Sequence, residues 1–164
     1  MSRAFLILLA ALATATAQVS AVRLRVEQVS KSNTTSYKTV QTRSLTIHLA
    51  NSSTQPADVK VKWAVLGRDI KSKDVVTVEQ GELAAALKPT GTEKLQTPAV
   101  SAAAEEARTG SKGKSDDIGT RIIGHGVQVW QGEKLVAEFY EPASLKESFG
   151  KAPVAQPLDK QKKK

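Results

Sequence analysis

The side chains able to do acid–base or nucleophilic chemistry are few in this chain, and their spacing is poor. There are two histidines and no cysteine in 164 residues. The absence of cysteine removes disulfides, thiolate metal sites and a thiol nucleophile. Asp116-Asp117 and Glu105-Glu106 are the adjacent acidic pairs. Strand neighbours point to opposite faces, whereas paired-carboxylate hydrolysis needs two carboxyl groups held ~5–10 Å apart across a cleft. Ser115-Asp116-Asp117-Ile118-Gly119 lacks the spaced oxygens of a calcium loop. A zinc site needs three or four converging ligands, and His48 and His125 stand far apart in the chain. No Gly-x-Ser-x-Gly elbow occurs. The glycines at 110 and 113 neither follow a strong strand nor open a helix, so they form no phosphate loop. The expectation is a protein without catalytic residues, cofactor or metal.

Charge and exposed aromatics are the remaining sources of function. The formal net charge is +8, and much of it lies in the last fourteen residues, which hold five lysines and one aspartate. Lys160, Lys162, Lys163 and Lys164 are candidate contacts to an acidic polymer, glycan or surface. No aromatic residue is interleaved with them, which argues against nucleic acid. If Val127 and Val129 face inward, Trp130 faces outward, and Tyr140 falls on that same outer side. An outward tryptophan suits protein contact or sugar stacking.

These residues need elements to position them. Residues 1–17, MSRAFLILLAALATATA, combine Arg3, an apolar run over 4–13 and the small-x-small order Ala15-Thr16-Ala17. That is the pattern of a signal peptide with cleavage before Gln18. The run is shorter than the ~20 apolar residues that span a bilayer, so no membrane span is expected in the mature chain. The destination is the periplasm, the outer-membrane surface or the exterior.

Period-2 alternation dominates the chain beyond Gln18. Val22, Leu24 and Val26 make one strand, and 31–36 reads as a polar break. Leu45, Ile47 and Leu49 make a second, and Val59, Val61, Trp63 and Val65 a third, which Gly67-Arg68-Asp69 should end. Val75–Val78 is a short strand, Gly81 a turn, and Leu83–Leu87 a further strand stopped by Lys88-Pro89-Thr90-Gly91. Residues 92–100 are an edge strand by virtue of Pro98, and 102–120 is irregular. Arg121–Trp130 and Leu135–Tyr140 form a hairpin; a three-residue loop, or an equivalent bulge, pairs Val129 with Leu135 and Val127 with Ala137. Ala143–Phe149 is a short terminal helix. The tail from Ala152 has almost nothing to bury. The organisation is therefore a signal peptide over 1–17, a sandwich domain over 18–149 and a basic disordered tail over 150–164.

Seven or eight short strands without a long helix define an all-β, immunoglobulin-like antiparallel β-sandwich with no disulfide. Trp63 sits on an apolar strand face, where such sandwiches keep a buried tryptophan. The Leu83–Leu87 run carries no charge or proline. Leu83, Ala85 and Leu87, together with Trp130 and Tyr140, are the candidate interaction surface for a second copy or an envelope partner.

One ordered series of motifs resembles a known group. Trp63-Ala64-Val65-Leu66-Gly67-Arg68-Asp69, Gly81-Glu82, Leu87-Lys88-Pro89-Thr90-Gly91 and Gly124-His125-Gly126-Val127-Gln128-Val129-Trp130-Gln131-Gly132-Glu133-Lys134-Leu135-Val136 are similar to the small exported immunoglobulin-like β-sandwich proteins of verrucomicrobial bacteria. The resemblance covers roughly 43–140. It implies the sandwich fold and an exported location, and some members are linked to type IV pilus-like outer-surface assemblies. Together with the lack of a catalytic constellation, this leads to the expectation of a non-catalytic structural or interaction role at the cell envelope. A carbohydrate-binding module is the alternative. The charged loop over 105–117 and the oligolysine tail depart from the pattern.

Overall fold

The computed structural model describes residues 21–106 and 117–156. Eight antiparallel strands form one continuous sheet folded back on itself: β1 (Val22–Thr34), β2 (Lys38–Asn51), β3 (Ala57–Asp69), β4 (Val75–Leu87), β5 (Thr92–Gln96), β6 (Val100–Glu105), β7 (Ile118–Gln131) and β8 (Lys134–Glu141). A 3-10 helix, Ala143–Glu147, comes after β8. The path runs β1-β2-β6-β7-β3-β4, with β5 beside β2 and β8 beside β7. β5 and β6 lie along successive stretches of β2, at Thr46–Ala50 and Lys38–Arg43. One half of the sandwich is thus β1, β2 and the β5/β6 line; the other is β4-β3-β7-β8.

The expected alternation is what closes the two halves on each other. Leu45, Ile47 and Leu49 of β2 meet Val61, Trp63 and Val65 of β3 and Val127 and Val129 of β7 in one buried cluster. Branched aliphatics with one tryptophan suit a pleated, dry interface. The sandwich class read from the pattern is the one observed.

Several local readings change. The polar stretch at 31–36 does not break the chain early: β1 pairs with β2 through Thr34↔Thr39. Backbone pairing there overrides side-chain polarity. Gly67-Arg68-Asp69 does not end β3, because β4 and β7 flank it on both sides. Gly67 serves contact instead; a Cβ there would lie 2.4 Å from Thr120 Cγ2. Gly81 is no turn either. It lies in mid-β4 opposite Trp63, and a Cβ would meet the indole at 2.9 Å. A large ring on one strand requires an empty site on the next. Residues 92–100 split at Thr97-Pro98, where Thr97 patches β2 by accepting the Leu45 N–H at its Oγ1, 3.0 Å away. The stretch 102–120 is not wholly irregular, since 100–105 and 118–120 are strand.

The β7–β8 hairpin differs in register. Gly132, with φ +59°, and Glu133 make a two-residue turn, with a bulge at Val129/Trp130 beyond it. Val129 therefore pairs with Ala137 and Val127 with Phe139, while Leu135 pairs with Trp130 and is exposed. The bulge preserves the inward parity by a shift of two.

Candidate interaction site

The second half of the sandwich has an outer face, and its two ends are built differently. At one end Gly124 and Gly126 leave space for the segment C-terminal to β8. A Cβ on Gly124 would lie 2.4 Å from Leu145 Cδ1, and one on Gly126 2.6 Å from Phe149 Cδ2. Ala64 and Leu66, their cross-strand partners in β3, are buried as well. The alternating glycines thus seat the 3-10 helix and Phe149 as a lid on the sheet.

Towards the other end lies Trp130, with Tyr140 between, directly opposite Gly126; both are half-buried and on the outer side as expected. A hydrogen-bonded row joins them. The Trp130 Nε1–H donates to Gln128 Oε1 at 3.1 Å, and Gln128 Nε2 donates to Tyr140 Oη at 2.7 Å. The Tyr140 hydroxyl donates to Glu138 Oε2 at 3.1 Å, and Lys146 pairs with the other Glu138 oxygen. Burial, with Glu138 adding, raises the Tyr140 pKa. The Lys146 hydrogen bond lowers that of Glu138. Lys62 Nζ stands 5.6 Å from the Trp130 ring centroid, a cation over an electron-rich face. The Tyr140 ring packs edge-on against Phe149 at 5.6 Å. The polar groups are largely matched to one another, and a cation stands over one face of the Trp130 ring.

Leu83, Ala85 and Leu87 need correction as surface residues. Leu87 is buried, and Leu83 and Ala85 pack against the core. Their parity puts them inside, opposite Val61, Val59 and Ala57. What β4 presents outward is its main-chain edge, with Ala84 and Ala86 exposed. Among the described residues no strand pairs with the far side of β4 from Glu79 to Leu87. Nearer its start, that far side is taken. Val154 forms a parallel bridge to Thr77; the Thr77 N–H donates to Pro153 O at 2.7 Å and Ala155 N–H to Thr77 O at 2.8 Å. Thr77 Oγ1 donates to Ala152 O at 3.1 Å. Residues 152–155, expected to belong to a disordered tail, are docked here: a sheet edge supplies main-chain partners that composition does not reveal. Lys160, Lys162, Lys163 and Lys164 lie outside the described residues, as does Asp116.

Both members of the Glu105-Glu106 pair are engaged in ion pairs. Glu105 faces Lys38 at 3.9 Å, and Glu106 pairs with Arg121. His48 faces Glu27, 3.4 Å away. His125 is different. Its side chain is 1 % exposed, neither ring nitrogen has a hydrogen-bond partner, and Glu141 Oε2 stands 4.0 Å from Nε2. Burial, and then the Arg43 charge, pull its pKa down to about 4. Sequence reasoning missed Arg43 and Glu141 because each looks like an ordinary surface charge until its strand's inward parity is traced. Among the described residues no group of three or more His, Asp or Glu is placed to hold a metal ion, and no helix is long and apolar enough to cross a membrane.

No family model matches the chain, and no curated protein matches it. Solved structures give a distant likeness. A candidate β-galactosidase from Bacteroides fragilis matches with a TM-score of 0.42 and 16 % identity over 70 % of this chain. The match covers 15 % of that protein, so this chain spans a small part of its length. A protein from Akkermansia muciniphila, a verrucomicrobium, matches at 0.38 and 14 % identity, covering 84 % of this chain and 78 % of that one. A candidate ApaA protein from Bordetella pertussis matches at 0.34 and 13 %, covering 74 % and 94 %. These are small all-β proteins or domains, and they assign no family.

Proposed function

We propose that the protein is a non-catalytic interaction module of the cell envelope, exported by residues 1–17, that binds an extended segment of another chain along the edge of β4. The supporting observation is the edge itself. Its first part already takes Pro153–Ala155 through two main-chain hydrogen bonds and one parallel bridge, and from Glu79 to Leu87 the same edge has no strand beside it among the described residues. Strand addition draws its affinity from main-chain hydrogen bonds and needs no pocket. Edge strands are commonly blocked by lysine, proline or bulges, and the Leu83–Leu87 stretch has none of these. The partner is a second copy or another component of a surface or pilus-like assembly. Sugar binding ranks below this reading, because Lys62 stands over the Trp130 ring and the indole N–H is already bonded.

Light scattering on the exported protein across a concentration series tests the reading, with Ala85→Pro and Ala84→Lys as edge variants and Trp130→Glu as a face variant. Concentration-dependent association that both edge variants reduce and the face variant leaves intact is the expected outcome. A wild type that stays monomeric at high concentration, with envelope association unaltered in all variants, would overturn it.

A further inference from the structure

The interior of the sandwich changes chemistry at one level. Along the inward side of β2, Leu49, Ile47 and Leu45 give way to Arg43 and Gln41. On β1, Val22, Leu24 and Val26 give way to Gln28 and Ser30. On β7, Val127 is preceded by His125, and on β8, Phe139 gives way to Glu141. Register aligns these changes: Ser30 pairs with Arg43 in one half, His125 with Glu141 in the other. The Arg43 charge acts on His125, and that of Glu141 on both. They form a polar patch across the sandwich, beside Val100, Ala102 and Ile122, which remain in the aliphatic cluster at the same level.

Donors outnumber acceptors in that patch. Arg43 Nε donates to Ser30 Oγ at 3.2 Å, and its terminal amino groups have no hydrogen-bond partner among the described residues. Gln41 accepts the Ile122 N–H at Oε1, 2.8 Å away, and so keeps its amide N–H groups. Both nitrogens of His125 are buried without a partner. Glu141 is the one carboxylate at this level among the described residues; more than half of its side chain is exposed, and it forms no ion pair with Arg43 within 4.0 Å. A cavity of about 120 Å³, lined by Ser30, Lys31, Gln41 and Arg43 among others, opens at this position. The Arg43 amino groups are not among the buried unpartnered atoms, so they face the opening of this cavity, where an acceptor-rich ligand can meet them.

We infer that this end of the sandwich is a binding site for a small oxyanion, a carboxylate or phosphate group held by the Arg43 guanidinium, with Gln41 donating and Lys31 adding charge at the mouth. A planar fork matches two oxygens at once. The cavity admits a small ligand, and Ile122 of β7 closes it opposite Arg43 and Gln41. This inference is independent of the β4 edge.

The experiment is a titration of the full-length isotope-labelled protein with inorganic phosphate and, separately, acetate, at constant ionic strength. It is read from the imidazole and Arg Nε resonances. The chain has two histidines, so His48 serves as an internal reference. Saturable movement of His125 and Arg43 with His48 unmoved is expected; a response to phosphate assigns a phosphate group, and a response to acetate a carboxylate. Arg43→Gln should weaken binding tenfold or more, and Arg43→Lys, which keeps the charge and loses the fork, several-fold. Gln41→Ala gives a second variant should Arg43→Gln fail to fold, and it too should weaken binding. The inference is overturned if neither anion moves His125, or if Arg43→Gln or Gln41→Ala binds as the wild type does, which would put the anions on surface lysines.

Discussion

Two tryptophans on neighbouring strands experience opposite environments. Trp63 of β3 is 4 % exposed, inside the sandwich, across from Gly81 on one side and Val127 on the other. Trp130 of β7, level with Lys60, is half-buried on the outer face under Lys62. Both sit in strands of alternating valines. The contrast arises from parity: Trp63 shares the parity of Val61 and Val65, whereas Trp130 comes immediately after Val129. The inner ring is held by volume, with a glycine emptied beside it. The outer ring is held by a hydrogen bond and a cation. Packing of the first kind stabilises the fold; the second leaves a surface that can be altered at little cost to folding.

The sharpest test of this contrast is truncation of the inner ring. Trp63→Ala should destabilise by ~3–5 kcal/mol, since a large side chain is lost from a close-packed site. Denaturant unfolding monitored by circular dichroism measures it, and a midpoint unchanged within error would place the ring outside the core.

An acid titration probes the interior at its polar patch. The His125 pKa in the folded state is about 4, below its ordinary value of 6.5. Above pH 6.5 both states are neutral at this site, and its full contribution is present. As the pH falls from 6.5 towards 4 the unfolded chain takes the proton first, so stability declines, by about 3 kcal/mol in all. His125→Phe should remove this part of the acid loss. Unfolding midpoints at pH 7, 5.5 and 4 read it out, and identical acid profiles for variant and wild type would refute the assignment to His125.

The smallest effect is expected at the outer ring. Trp130→Ala should cost less than about 1 kcal/mol, the scale of an exposed cation–aromatic contact. Thermal melts suffice. A loss comparable to that of Trp63→Ala would mean that the outer row supports the fold as the core does.

The sandwich was legible because inward valines, leucines and isoleucines recur at period two over β2, β3 and β7, and sheet packed on sheet buries those faces. The inward Trp63, the outward Trp130 and Tyr140 and the short terminal helix all come from local pattern. Other features do not, because they depend on which strand lies alongside. Gly67 and Gly81 look like breaks in a linear reading, yet Gly67 lets the Thr120 and Val78 methyls approach and Gly81 leaves room for the Trp63 ring. Leu83, Ala85 and Leu87 read as an exposed run until pairing with β3 turns them inward. Residues 152–155 become structure because β4 has a free edge within reach. Arg43, His125 and Glu141 stand far apart along the chain, and only the register of β2, β7 and β8 makes them one patch. Side-chain periodicity is a local property and survives in the sequence alone. Proximity between distant strands is set by the closing of the sheet, and it decides which charges are buried and which edge is left open.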